Sequence, residues 1–306
     1  MTLPQMVLLR CQQCSATLHH LPGQPLARCA FCGSSYLVSR PPDPAARPAM
    51  RLVPFSLQPV RARELFVRWL GKGILRPGNL ARASDIEEPK AVFVPVYLGQ
   101  CRAHSNWTAE VEHRRVRRVD LGKWPGHALG DLKFTVASES ETQALSGAHD
   151  AEYERVCVLA SRGVDEGQFG SLSEFDWSKL APVDAGLLGE AALEEPVVPL
   201  EEASSRMKAR VQEAEERACA AMVPGPAFGG LKVNTIVDVR EVELALVPIF
   251  AMGYTYQGKR FRGLVNGTTG RVAAEAPLST PRLAVAGAAL LGVPALILWF
   301  LWRRRL

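Results

Sequence analysis

The hydrophobic period changes several times along this chain, and each change predicts an element. Leu52-Val53-Pro54-Phe55 reads as a short strand, with Ser56 placed as an N-cap. Leu65, Phe66, Trp69 and Leu70 then recur at helical spacing until Gly71 and Gly73 end the pattern. Ala91 to Cys101 alternates aliphatic and aromatic residues around Pro95, which predicts a strand at an edge or bulge. Glu139 to Asp150 is polar and reads as a loop, Tyr153 to Ala160 as a strand, and Arg162 to Pro199 as an extended connection pinned by Phe175 and Trp177. From Pro199 to Met222 the pattern is that of an amphipathic helix. Leu200, Ala203, Met207, Val211, Ala214, Ala218 and Ala221 fall three or four apart, while Glu202 with Arg206 and Glu213 with Arg217 pair on the other side. Between Leu231 and Glu275 the period returns to two, in strands separated by turn residues, with Asn266-Gly267 as a hairpin signal.

The last pattern has no alternation. Leu283 to Trp302 is uncharged, and as a helix it matches a hydrocarbon layer of about 30 Å. Trp299 and Trp302 stand at one end, followed at once by Arg303, Arg304 and Arg305. The expectation is a membrane anchor carried by Leu283, Pro294, Trp299, Trp302 and these arginines, in contact with membrane lipid. It implies a single-pass protein of the cell membrane with its body in the cytoplasm, consistent with Met1 to Leu9 lacking the basic start of a secretory signal. Gly292-Val293-Pro294 is the point at which the run could instead break into a re-entrant element.

Charge modifies this only locally. Residues 1–137 hold 19 basic and 9 acidic side chains, 138–224 hold 7 and 18, and 225–306 hold 10 and 4. An acidic middle between basic flanks is most simply neutralised within the fold, and the formal charge of +5 makes no bulk case for nucleic acid. Arg114, Arg115, Arg117 and Arg118 form the densest basic cluster and a candidate anionic-partner patch. Strand alternation would split them between two faces, and interleaved stacking aromatics are missing, so the pattern argues against a single-strand binder.

The chemically specific signal is Cys11-Gln-Gln-Cys14 followed by Cys29-Ala-Phe-Cys32-Gly33. Two CxxC knuckles on facing hairpins make a tetrahedral thiolate cage for Zn²⁺. With four thiolates no coordination position is open, so one structural zinc is expected, with Cys11, Cys14, Cys29 and Cys32 as ligands and His19 and His20 outside the set. Redox use of one CxxC is the competing reading. Arg40 to Pro48, RPPDPAARP, is a stiff linker on which the ribbon would move as a separate body. The expected organisation is a ribbon over 1–39, a linker over 40–50, a body over 51–280 and an anchor with basic tail over 281–306.

No catalytic constellation emerges. Gly253 to Lys259 fits the GxxxxGK of a phosphate loop, but Arg260 replaces the Ser or Thr that would hold Mg²⁺, and Tyr254 and Tyr256 alternate as in a strand.

In series, the CxxC–CxxCG ribbon, VPFSL, FVRWL, FVPVYLG, FDWSKLAP, the LEEA helix, LVPIF and GYTYQGKRFRGLVNGTTGRV resemble the bacterial membrane-associated proteins with a TFIIB-type zinc ribbon, often labelled primosomal protein N′ or helicase-like. That resemblance implies a zinc ribbon on a membrane-associated body without nucleotide chemistry, and partners among membrane scaffold proteins such as the SPFH type. The fold class expected is α+β: an N-terminal zinc ribbon, an antiparallel-sheet body with a few helices, and a C-terminal transmembrane helix. The function expected is that of a non-enzymatic membrane-anchored adaptor that tethers or recognises a protein partner at the cytoplasmic membrane face. The alternative is a nucleic-acid-binding ribbon protein.

Overall fold

A computed structural model describes residues 7–20, 28–40, 49, 51–118, 135–172, 174–224, 228–284 and 303. In chain order it contains β1 (Val7–Cys11), β2 (Thr17–His20), β3 (Leu37–Arg40), β4 (Arg51–Leu52), α1 (Pro59–Leu70), α2 (Leu80–Ala83), β5 (Asp85–Ile86), β6 (Lys90–Arg118) and β7 (Thr135–Leu159). There follow α3 (Glu166–Leu172), a 3₁₀ turn at Trp177–Lys179, β8 (Ala181–Pro182), α4 (Ala185–Leu188), β9 (Ala192–Leu193), α5 (Leu200–Met222), β10 (Phe228–Tyr256), β11 (Lys259–Asn266) and β12 (Val272–Ala274). Strands β2, β1 and β3 form a small antiparallel sheet in that order, and the other nine form one large sheet.

The α+β expectation is therefore corrected to a sheet-rich fold. Strand prevails because stretches expected as separate pieces are continuous: β6 and β10 run 29 residues each and β7 runs 25. The polar stretch expected as a loop, Glu139 to Asp150, lies within β7. Leu145, Gly147 and His149 are half-buried on one side of it while Ser146, Ala148 and Asp150 face solvent, so its polarity marks an exposed strand face. Within β10, Glu241 takes a left-handed φ of +46 without ending the strand.

The expected C-terminal transmembrane helix is also corrected. Among the described residues no helix is long and apolar enough to cross a membrane, and the single-pass cell-membrane location inferred from it loses its basis. The longest described helix, α5, has the length of a span but carries a charged face. Leu283 belongs to a described helical turn and is 47% exposed. Pro294, Trp299, Trp302, Arg304 and Arg305 lie outside the described residues, as do 41–48 of the expected linker.

The chain divides into two compact units. Unit 1 comprises Met1–Leu98, Cys157–Ala203 and Glu243–Leu306; unit 2 comprises Gly99–Val156 and Ser204–Val242. In unit 1, α1 starts at Pro59 with Gln58 as N-cap, because Pro supplies the helical φ where no amide partner is needed. It buries Ala62, Phe66 and Leu70. Phe66 lies against Gly263 of β11, where a Cβ would come within 2.2 Å of its ring, and 5.7 Å from the ring of Tyr254. The GxxxxGK spacing falls on the hairpin joining β10 to β11. Gln257 and Gly258 both have positive φ, as a two-residue hairpin turn requires, and no helix follows. At the next turn Asn266 is fully buried. Its Oδ1 accepts from the Thr268 and Thr269 amides, and its Nδ2 donates to the Leu172 carbonyl.

In unit 2, β6 alternates with a period of two. Cys101, Ala103, Ser105, Trp107, Ala109 and Val111 are buried, and the residues between them are exposed. Trp107, Ala109 and Val111 pack with Cys219 and Val223 from the α5 end. The buried row of α5 is Ala203, Met207, Val211, Glu215 and Cys219, a straight i,i+4 ridge. It departs from the expected stripe at Glu215 and Cys219, where Ala214 and Ala218 were the apolar alternatives.

Candidate metal centre

The two knuckles are built alike. In the first, Cys11 N–H donates to the Ala16 carbonyl and Ser15 N–H to the Cys11 carbonyl, both at 2.9 Å. In the second, Cys29 N–H donates to Ser34 O at 2.8 Å and Gly33 N–H to Cys29 O at 2.9 Å. Each turn needs a left-handed residue directly after its second cysteine, Ser15 with φ +61 and Gly33 with φ +69. Glycine holds that conformation without a Cβ penalty, whereas serine does not. Ser15→Gly is thus expected to raise stability by about 0.5–1 kcal/mol. A urea midpoint equal to or below that of the unsubstituted protein, measured with the metal bound, would contradict this.

These turns bring the four thiols together. Cys11 Sγ lies 3.4 Å from Cys32 Sγ, Cys14 Sγ lies 3.7 Å from Cys29 Sγ, and all four lie within 4.8 Å of one another. A tetrahedral ion with metal–sulfur bonds of about 2.3 Å requires sulfur–sulfur edges of about 3.8 Å, so the set fits a small divalent cation. None of the four is in a disulfide. Cys14 holds Cys29 down to about 5 through the hydrogen bond between them, while that same bond pushes Cys14 up, and burial pushes Cys32 up to about 11. Four thiolates this close are all ionised together only with a cation between them. The described cluster contains no histidine; His19 is half-buried on β2 and burial pushes its imidazole down.

The ribbon does not stand apart from the body. Leu18 bridges antiparallel to Glu194, and Glu195 N–H donates to Thr17 O at 2.9 Å, so β2 continues into body backbone. Cys11, Ala16, Leu18, Cys29 and Phe31 share one hydrophobic core with Val92, Val94, Val164 and Phe169. The physical reason is apolar area: so short a ribbon buries Leu18 and Phe31 only against something larger. Glu194 is 1% exposed at this junction, and burial pushes its carboxyl up to about 8. Ser161 and the Gly163 amide lie beside it, but neither oxygen has a partner in hydrogen-bond geometry.

Of the remaining candidates, Arg114, Arg115, Arg117 and Arg118 lie on the β6 backbone, but their side chains fall outside the described residues. Sequence reasoning missed the polar centre of unit 2. Glu215, fully buried, accepts from Ser105 Oγ at 2.6 Å and Tyr153 Oη at 2.7 Å, and His149 Nδ1 lies 2.9 Å from it. Burial works against its charge, yet the His149, Ser105 and Tyr153 hydrogen bonds outweigh that and hold its carboxyl below the usual range. Burial, with that same hydrogen bond, pushes Tyr153 up to about 12. The one sequence signal was Glu215 standing on the i,i+4 ridge with Ala203, Met207 and Val211.

No family model matches the chain, and no solved structure matches it. It is similar to the uncharacterized protein YdjG of Bacillus subtilis strain 168, 20% identical over 243 residues, which is 76% of this chain. The chain spans 65% of the length of that curated relative.

Proposed function

We propose that Cys11, Cys14, Cys29 and Cys32 hold one structural zinc, and that the protein acts by recognising a protein partner through its ribbon rather than by catalysis. The observation that carries the metal reading is the closed cage of four sulfurs within 4.8 Å. Sulfur donors in tetrahedral array favour zinc over harder cations, and a site filled by four protein ligands has no position for substrate. The recognition reading is supported by the ribbon's other side. Strand β3 lies at the edge of its sheet; Tyr36, just before it, and Val38, within it, are 69% and 48% exposed, although the other large apolar residues of the ribbon among the described residues are buried or half-buried. An edge strand with an exposed aromatic at its start offers backbone hydrogen bonds and an anchor side chain to an extended segment of another chain.

Elemental analysis of the purified protein tests the metal: about one zinc per chain is expected. For recognition, proteins crosslinked to the intact chain are compared with those crosslinked to a Tyr36→Asp, Val38→Asp variant. The expected outcome is loss of a defined partner at unchanged zinc content. Identical crosslinks, or salt-sensitive binding to DNA by both proteins, would sink the recognition reading.

A further inference from the structure

Resting on the zinc reading above, we propose that Arg260 is a positioning residue of the metal centre: a cation supplied by the body that sits against the second knuckle and offsets the negative charge of the thiolate cage. Four thiolates around Zn²⁺ carry a net charge of −2. Every ligand comes from the ribbon, so what compensates that charge decides how tightly the metal is held.

Arg260 lies at the start of β11, opposite Thr255 of β10, next to the Gln257–Gly258 turn. Its guanidinium is packed against the backbone of Gly33, the residue directly after Cys32. A Cβ built on Gly33 would fall 1.9 Å from Arg260 Nη2, 2.3 Å from Nη1 and 2.4 Å from Cζ. The same group lies against Gly253 of β10, where a Cβ would come within 2.7 Å of Nη2. Two backbone positions without side chains thus leave a slot for one guanidinium.

Glu87 fixes it in that slot. Arg260 Nη2 donates to Glu87 Oε2 at 2.9 Å and lies 2.8 Å from Oε1, while Glu87 N–H donates to the Gly253 carbonyl at 2.9 Å. The two side chains are 36% and 35% exposed, and an ion pair so solvated contributes little to stability by itself. Arg260 differs from an ordinary surface arginine in its third neighbour. Its Nη1, Nη2 and Cζ are the atoms that meet the Gly33 backbone, so its positive end lies beside the residue directly after the ligand Cys32. Outer-sphere groups of this kind typically change metal affinity by about 10–100-fold when removed. Only Gly33 serves the turn here, because it supplies both the left-handed φ and the space.

The test is a zinc-affinity measurement by competition with a chromophoric chelator on the full chain, with zinc stoichiometry of the unsubstituted protein determined first. Arg260→Ala is expected to weaken zinc binding by roughly tenfold and Arg260→Lys by less, because the charge is kept while the planar group packed between Gly33 and Gly253 is lost. Melting of the metal-free forms should be the same for Arg260→Ala and the unsubstituted protein; only the zinc-loaded forms should differ. Gly33→Ala should weaken binding as well, and less than additively with Arg260→Ala, since each removes the same contact. Unchanged zinc affinity in Arg260→Ala with zinc present in the unsubstituted protein overturns this proposal alone. So does an equal loss of stability in the loaded and metal-free forms, which would make Arg260 a strut of the hairpin. Zinc missing from the unsubstituted protein overturns the structural-zinc reading, and this proposal falls with it.

Discussion

Replacing Cys29 and Cys32 by Ser is expected to abolish zinc binding and to destabilise unit 1, not the ribbon alone. The reason lies in where the ribbon's apolar residues go. Phe31 is 1% exposed and Leu18 8%, in one core with Val92, Val94 and Phe169, so a ribbon that unravels uncovers part of the body. Structural zinc is worth about 10–16 kcal/mol in isolated ribbon-sized peptides, and a buried Phe or Leu adds about 1.5–3 kcal/mol. Part of that is recovered by the collapse of the metal-free ribbon, leaving an expected loss of about 5 kcal/mol and a melting temperature lower by roughly 10–20 °C. Treatment with a chelator should reproduce the shift. Differential scanning calorimetry with zinc quantified on the same sample checks it. A double variant that melts with the intact protein would mean that the ribbon and body are energetically separate.

Glu215→Ala should produce the second largest loss, about 3 kcal/mol, because it leaves Ser105, Tyr153 and His149 without their common acceptor inside unit 2. Glu215→Gln keeps the shape, removes the charge, and should cost less. The two differ in how they respond to pH. The folded carboxyl lies below its ordinary value of 4.5, so its stabilisation is present above pH 4.5 and is lost as pH falls through the folded value. The stability gap between the unsubstituted protein and Glu215→Gln should therefore be full at pH 7 and close on acidification below about pH 4.5. Urea titrations of the pair at several pH values measure it. Subtracting one from the other cancels the acid sensitivity of the thiolate site, which both share. A gap that stays constant to pH 3.5 would show that the carboxylate's charge is irrelevant to the network.

These two sites differ in how far they could be read from residues alone. A CxxC knuckle is local. Four residues and one left-handed position determine where its two sulfurs point, so Cys11, Cys14, Cys29 and Cys32 were legible from spacing, and the structure gathers them. Strand periodicity was legible too, as from Ala91 to Cys101, which lies within β6, and so was the amphipathic character of α5. Boundaries were not. Turn-forming and polar residues between Leu231 and Tyr256 and from Glu139 to Asp150 signalled breaks, but cross-strand pairing overrode them and extended β10 and β7 through those positions.

The C-terminal run shows the opposite limit. Length and apolarity license a span as an expectation, yet no described helix meets the requirement, and the residues of that run beyond Ala284 lie outside the described structure.

By itself, then, the sequence determined the cluster of four cysteines, the strand and helix periods, and the failure of Gly253 to Arg260 as a phosphate loop, all consequences of chemistry within a few residues. Only the tertiary structure decided that the ribbon docks through Leu18 and Glu194, that Glu215 meets Ser105, His149 and Tyr153, and that Arg260 lies against Gly33. Those contacts join residues 62 to 227 positions apart. Over such distances side-chain type says which partners are compatible, while burial and the register of long strands choose among them.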